Sequence, residues 1–111
     1  RRRVFRAHVP PDYGYFAGHF TGYPILPGAA QLSELVLPCV RRARPELGPL
    51  RQMSRIKFAN RIKPDERVDV ELAWRNDEPQ IDFALRRGDA ICSAGKLNFE
   101  SSPPSAAEDP P

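Results

Sequence analysis

Hydrophobic and polar residues alternate along most of the chain, and the alternation breaks once for a helical period. From Arg67 to Arg75, Val68, Val70, Leu72 and Trp74 point one way while Asp69, Glu71 and Arg75 point the other, as in a half-buried antiparallel strand. Ile81, Phe83 and Leu85 repeat the pattern, and Ala90 to Phe99 forms a last strand. Upstream, Gln52 to Lys63 places Ile56, Phe58 and Ile62 on one face and Arg55, Lys57, Arg61 and Lys63 on the other. Arg1 to Val9 opens the chain as a strand, with Phe5, Ala7 and Val9 opposite Val4, Arg6 and His8. Between these strands the period lengthens. Leu32, Leu35, Val36, Cys39, Val40 and Ala43 recur at helical spacing, with Leu37 widening the apolar face. This helix is expected to start at Pro27-Gly28, where a missing N–H does no harm, and to stop at Pro45. Arg41, Arg42 and Arg44 fall in its last turns, where cations complement the helix dipole. Pro38 removes the bond to the Glu34 carbonyl, which predicts a kink near Glu34 to Pro38 or two short helices.

Turns separate these elements at Pro10-Pro11-Asp12, Pro64-Asp65-Glu66, Asn76 to Pro79 and Arg87-Gly88-Asp89. The last tripeptide has the letters of an integrin-binding motif, but between two strands it is a hairpin turn. The sum is an α+β protein: an antiparallel sheet wrapped around one long central helix that is inserted after the first strand. A five-stranded sheet of this kind leaves edges that invite pairing with a second copy.

Length and charge narrow the picture. The chain has 111 residues, enough for a single modest core, and residues 1–100 are read as one domain followed by a disordered tail, 101–111, rich in Ser, Ala and Pro. No apolar run reaches membrane-spanning length. The net charge of +3 is too small to argue for nucleic acid, and the cationic positions lack interleaved aromatics. Cys39 and Cys92 have neither metal-ligand nor redox-motif spacing and sit among apolar residues, so they are read as buried free thiols of a cytoplasmic protein.

Candidate chemistry is concentrated in Gly18-His19-Phe20-Thr21-Gly22-Tyr23-Pro24-Ile25-Leu26-Pro27-Gly28. A His moves protons near neutral pH. The helix start at Gly28 offers unpaired N–H groups and a positive dipole end, and a glycine there is expected to let a ligand oxygen approach the backbone closely. Together they suit proton abstraction beside a carbonyl whose oxygen gains charge. The aromatic run Tyr13-Gly14-Tyr15-Phe16 either contacts an acyl group or belongs to the core.

The pattern G-H-F-x-G-x-P-I-x-P-G resembles the signature of the 3-hydroxyacyl-acyl-carrier-protein dehydratases of the FabA/FabZ type, which have the hotdog fold. Gly28-Ala29-Ala30-Gln31-Leu32 and Arg55-Ile56-Lys57-Phe58 are also similar to the dehydratase-like proteins of aryl-polyene and related polyketide pathways. The resemblance implies loss of water from a 3-hydroxyacyl thioester to give a trans-2-enoyl thioester, in fatty-acid or polyketide-type biosynthesis. His19 would be the base and the Gly28 N–H the oxyanion donor. The implied substrate rides on the phosphopantetheine of an acyl carrier protein, with no metal or redox cofactor. The implied assembly is a homodimer, or a heteromer with a related hotdog subunit. Tyr15, Phe20, Tyr23 and Pro27 are the candidate substrate-binding residues. Arg55, Lys57, Arg61 and Lys63 are read either as a docking stripe for the acidic carrier protein or as a solvated strand face.

Thr21 stands where the family usually has Pro, and a second departure bears directly on catalysis. Family members carry Glu or Asp fourteen residues after the His, and here that residue is Ser33. Glu34 follows, about 100° further around a regular helix, and cannot replace the acid without a local change in the helix. Three outcomes follow: a slow dehydratase using His19 alone, an enzyme with Glu34 as a displaced acid, or a noncatalytic subunit that binds acyl carrier protein. A hotdog thioesterase is a further alternative on the same fold.

Overall fold

The computed structural model describes residues 1–9, 28–63 and 65–101. The five strands are β1 (Arg2–His8), β2 (Leu50–Phe58), β3 (Arg67–Ala73), β4 (Gln80–Arg87) and β5 (Ala90–Phe99). They form one sheet in the order β1-β3-β4-β5-β2, with every neighbouring pair antiparallel. The β2 strand therefore leaves its place in the sequence and closes the sheet beside β5.

Alternation fixes which face is covered. Val68, Val70 and Leu72 of β3, Ile81, Phe83 and Leu85 of β4, and Leu97 and Phe99 of β5 are buried on the concave face. Ala30, Leu32, Leu35, Val36 and Val40 of the central helix join them in a single cluster. Each such Val, Leu, Ile or Phe contributes about 1.5–3 kcal/mol by leaving water, so this face decides the register of every strand. Between β4 and β5, Arg87 pairs with Ala90 and the two-residue turn between them has Gly88 at φ 62°, as the hairpin reading expected.

The helix is continuous from Gly28 to Ala43, but its bonding changes. Gly28–Ala30 is α-helical, Gln31–Val36 is a π-helix, and Leu37–Ala43 is α-helical again. The expected kink or break is thus replaced by a widened turn, in which the Leu37 N–H donates to the carbonyl of Leu32, five residues back. Pro38 explains the location. It has no N–H for the Glu34 carbonyl, and its ring crowds that carbonyl in a regular α-helix. Widening the turn relieves the crowding at a place where the α ladder is already interrupted.

The helix stops just before Pro45, as expected. Arg44 is the residue that ends it, and it is buried, 3% exposed. Its guanidinium donates to the carboxylate of Glu46 and to the carbonyls of Asp77 and Glu78, and it stacks on Trp74 at 5.3 Å. Arg41 donates to the carbonyls of Leu47 and Gly48. These arginines tie the helix to the β3–β4 turn and to the chain entering β2.

The β2 strand carries the clearest irregularity. Ser54 pairs with Lys96 and Lys57 with Ala94, so three steps on β2 match two on β5. Arg55 has φ 54°, a left-handed conformation at a residue other than glycine. The bulge has a sequence cause: Met53 and Ile56 are three apart and cannot share a face at period two. The extra residue returns Met53, Ile56 and Phe58 to the concave side. The strand then ends at Phe58, not Lys63. The N–H groups of Ala59 and Asn60 both donate to the carbonyl of Cys92, which takes the chain out of the ladder.

Candidate active site

The described part of the site is the start of the central helix and what lies against it. Gly28 begins the helix at the end of the sheet where β2 finishes. Phe58, the last residue of β2, lays its ring on the Gly28 backbone. A Cβ at position 28 would meet the ring carbons of Phe58 at 2.6, 2.9 and 3.0 Å. The space a side chain would fill belongs to an aromatic ring. The ring is nevertheless 53% exposed, the most exposed large apolar side chain among the described residues.

Across the ladder from Phe58 is Ser93, which is fully buried and whose hydroxyl has no hydrogen-bond partner among the described residues. Its neighbour Cys92 is a buried free thiol; burial pushes it above the ordinary 9.0, against a smaller opposite pull from Arg87. Cys39 is also free but only half-buried, so the expectation of two buried thiols holds in full for Cys92 alone.

Ser33 and Glu34 lie side by side on the exposed face of the π-helical stretch, while Gln31, Leu32, Leu35 and Val36 face inward. His19, Tyr15, Phe20, Tyr23 and Pro27 lie outside the described residues, as does the tail from Ser102. The four cations expected on one strand face are not one stripe. Arg55 is the bulge residue, Lys57 is on β2 opposite Ala94, and Arg61 and Lys63 follow after the strand has ended. All four are exposed. Arg55 and Lys57 share with Lys96 and Asp82 a cleft of about 460 Å³ that opens at the bulge, and there the Lys96 ammonium is 3.0 Å from the Asp82 carboxylate. In the sequence Phe58 has a strand face and a place in a family-like segment but no role in the site, and the Met53–Ile56 spacing is the available sign that β2 carries a bulge.

An antiparallel sheet packed around one long helix defines the hotdog fold. The comparisons name the branch. The chain matches the family model for ApeI-like proteins, the ApeI dehydratase, over residues 1–96, and it belongs to that family. It is therefore a hotdog-fold enzyme of the dehydratase type. It is 25% identical over 108 residues to the 3-hydroxyacyl-[acyl-carrier-protein] dehydratase FabZ of Moorella thermoacetica, covering 89% of this chain and 76% of that protein. Among solved structures it is similar to the dehydratase heterocomplex ApeI:P from Xenorhabdus doucetiae, with a TM-score of 0.76, 22% identity, and coverage of 88% of this chain and 86% of that one. An uncharacterized protein from Erwinia carotovora subsp. atroseptica superposes with a TM-score of 0.74 at 28% identity, over 90% of this chain and 83% of its own. No helix of the described residues is long and apolar enough to cross a membrane.

Proposed function

We propose that the protein removes water from a 3-hydroxyacyl thioester carried on the phosphopantetheine of an acyl carrier protein, giving a trans-2-enoyl thioester. His19 takes the proton from the carbon next to the thioester carbonyl, and the Gly28 N–H receives the charge that gathers on the carbonyl oxygen. The C–O bond at the 3-position then breaks, the C=C bond forms, and Glu34 supplies the proton with which the hydroxyl leaves as water. The thioester itself acidifies the proton that is removed, so the step needs no metal or redox cofactor.

The observation that carries this reading is the π-helical turn over Gln31–Val36. A turn closed over five residues instead of four holds one residue more than an α turn, while the helix on either side keeps its faces. That extra residue is what the displaced acid needs. Glu34, fifteenth after His19, is carried toward the angular place of the fourteenth residue in a regular helix. Ser33 becomes the inserted residue and has no part in proton transfer. The acid acts on substrate held by a partner subunit, which agrees with its exposure in the single chain. The partner is a second copy of this chain, or a related hotdog subunit as in the heterocomplex of the similar Xenorhabdus protein. Arg55 and Lys57, at the cleft beside the bulge, meet the acidic carrier protein, with Arg61 and Lys63 on the adjoining segment.

The test is turnover of a 3-hydroxyacyl carrier-protein thioester by the purified protein, followed by mass spectrometry. Loss of water supports the reading; release of the free acid replaces it with a thioesterase, and carrier binding without reaction replaces it with a noncatalytic subunit. Glu34→Gln should lower the rate by about 10²-fold or more, in the range of a lost general acid. Ser33→Ala should leave the rate within about 3-fold, since an inserted residue takes no part in the proton transfer. A Ser33→Ala variant as impaired as Glu34→Gln would overturn the assignment of the acid.

A further inference from the structure

Phe58 is the part of the site that no expectation assigned, and three observations converge on it. Its ring occupies the volume that any side chain at position 28 would need, at 2.6 Å from an ideal Cβ. It is 53% exposed, although a ring of that size gains most by leaving water. It also continues an apolar strip on the concave side of β2, with Met53 46% exposed and Ile56 half-buried before it. One face of the ring is thus fixed against the helix start, and the remaining surface is open beside the N–H assigned to the thioester carbonyl.

We propose that Phe58 is a specificity-determining residue: its free surface is the wall against which the acyl group of the bound thioester packs, and Gly28 is glycine so that this wall can stand there. The inference rests on the proposed dehydration and on Gly28 as the carbonyl's donor. The occupant is the acyl group, not a second copy of the chain, because the ring adjoins the donor itself. A thioester whose carbonyl oxygen bonds that N–H brings its acyl chain next to the exposed part of the ring. Truncating the ring therefore widens the space next to the reacting carbons and changes which acyl groups fit. Adding a methyl group at position 28 pushes the ring outward into the same space.

The experiment measures kcat/KM for wild type, Phe58→Ala, Phe58→Leu, Gly28→Ala and the double variant Gly28→Ala/Phe58→Ala. It uses a straight-chain and a bulky 3-hydroxyacyl thioester, with the oligomeric state and melting temperature of each variant recorded. The expected result is a shift of at least tenfold in the bulky-to-straight ratio toward bulky groups in Phe58→Ala, with a smaller shift in Phe58→Leu. Gly28→Ala should lose at least tenfold on both substrates, and the double variant should recover part of that loss because the ring is no longer there to be displaced. If wild type is active and Phe58→Ala keeps the wild-type ratio, this inference falls and the dehydratase reading stands. Equal loss on both substrates together with dissociation would make Phe58 an interface residue and would also overturn it. A wild-type protein that dehydrates neither thioester defeats both.

Discussion

At Cys92 a single buried atom links the packing of β5 to the pH dependence of stability. The side chain is fully buried, and burial is the larger cause of its raised titration. The folded protein therefore keeps this proton to higher pH than the unfolded chain does. The associated stability is complete below the ordinary thiol value of 9.0 and is lost as pH rises through the raised folded value. Urea midpoints measured from pH 7 to 10.5 should fall more steeply for wild type than for Cys92→Ala, in which this group is gone. Parallel slopes would show that Cys92 does not contribute. The same residue shows what a sequence can and cannot say at this scale. Its apolar neighbours marked it as buried, whereas nothing local to Gly28 signals that Phe58 lies against it. Only a contact between residues 30 apart, Gly28 and Phe58, shows that a side chain at position 28 would have to displace the ring.

The central helix and β2 are the elements where local rules conflict, and both resolve the conflict by accommodating one extra residue. β3, β4 and β5 could be read directly because each has a covered face and an uncovered one, so alternation fixes their register. In β2, Met53 and Ile56 break the period. Alternation alone then carries the strand past its true end at Phe58 and lines up four cations that the fold separates. In the helix, Pro38 announced an irregularity, but a kink, a break and a π turn all satisfy a missing N–H, and only packing selects among them. The choice can be tested by deletion. Removing Ser33 makes Glu34 the fourteenth residue after His19 without any widening of the turn, while Pro38 stays four residues after Glu34 and still leaves that carbonyl without an N–H. We expect this deletion variant to fold, because Ser33 is exposed and the buried residues on either side of it remain. Its dehydration rate should stay within about 10-fold of wild type, far from the loss expected when a general acid is absent. A variant that folds but is as slow as Glu34→Gln would show that the π turn does not position the acid.

For the whole molecule, the two edges of the sheet differ in regularity: the register of β1 is unbroken and that of β2 shifts twice. The β1 edge carries Arg2, Arg3 and Arg6, with Arg2 and Arg6 held by Glu71 and Asp69 of β3, and charge of this kind discourages strand addition. The β2 edge carries Arg51, Gln52, Met53 and Ser54 before its bulge, with Arg51 exposed and Met53 46% exposed. The register also shifts between Leu50 and Gln52, and the bulge at Arg55 twists the strand away beyond Ser54, so Gln52 to Ser54 is the regular stretch left to pair with another chain. A two-fold pairing there would extend the sheet across two copies, cover both Met53 side chains and bring the exposed helix face of one copy toward the site of the other. The proposed mechanism requires such an arrangement, since Glu34 is to serve a substrate held by its partner. Met53→Asp places two like charges near the two-fold axis, where antiparallel neighbours repel. Sedimentation equilibrium at micromolar concentration should find wild type as a dimer and Met53→Asp largely as a monomer. The monomer should keep its far-ultraviolet spectrum, because Met53 lies outside the buried cluster. It should also lose dehydration by about the factor seen for Glu34→Gln, because separating the copies takes the acid from the substrate. A monomeric variant with full activity would place the whole site within one chain and overturn the shared-site reading, and a monomeric wild type would do the same for the β2 edge.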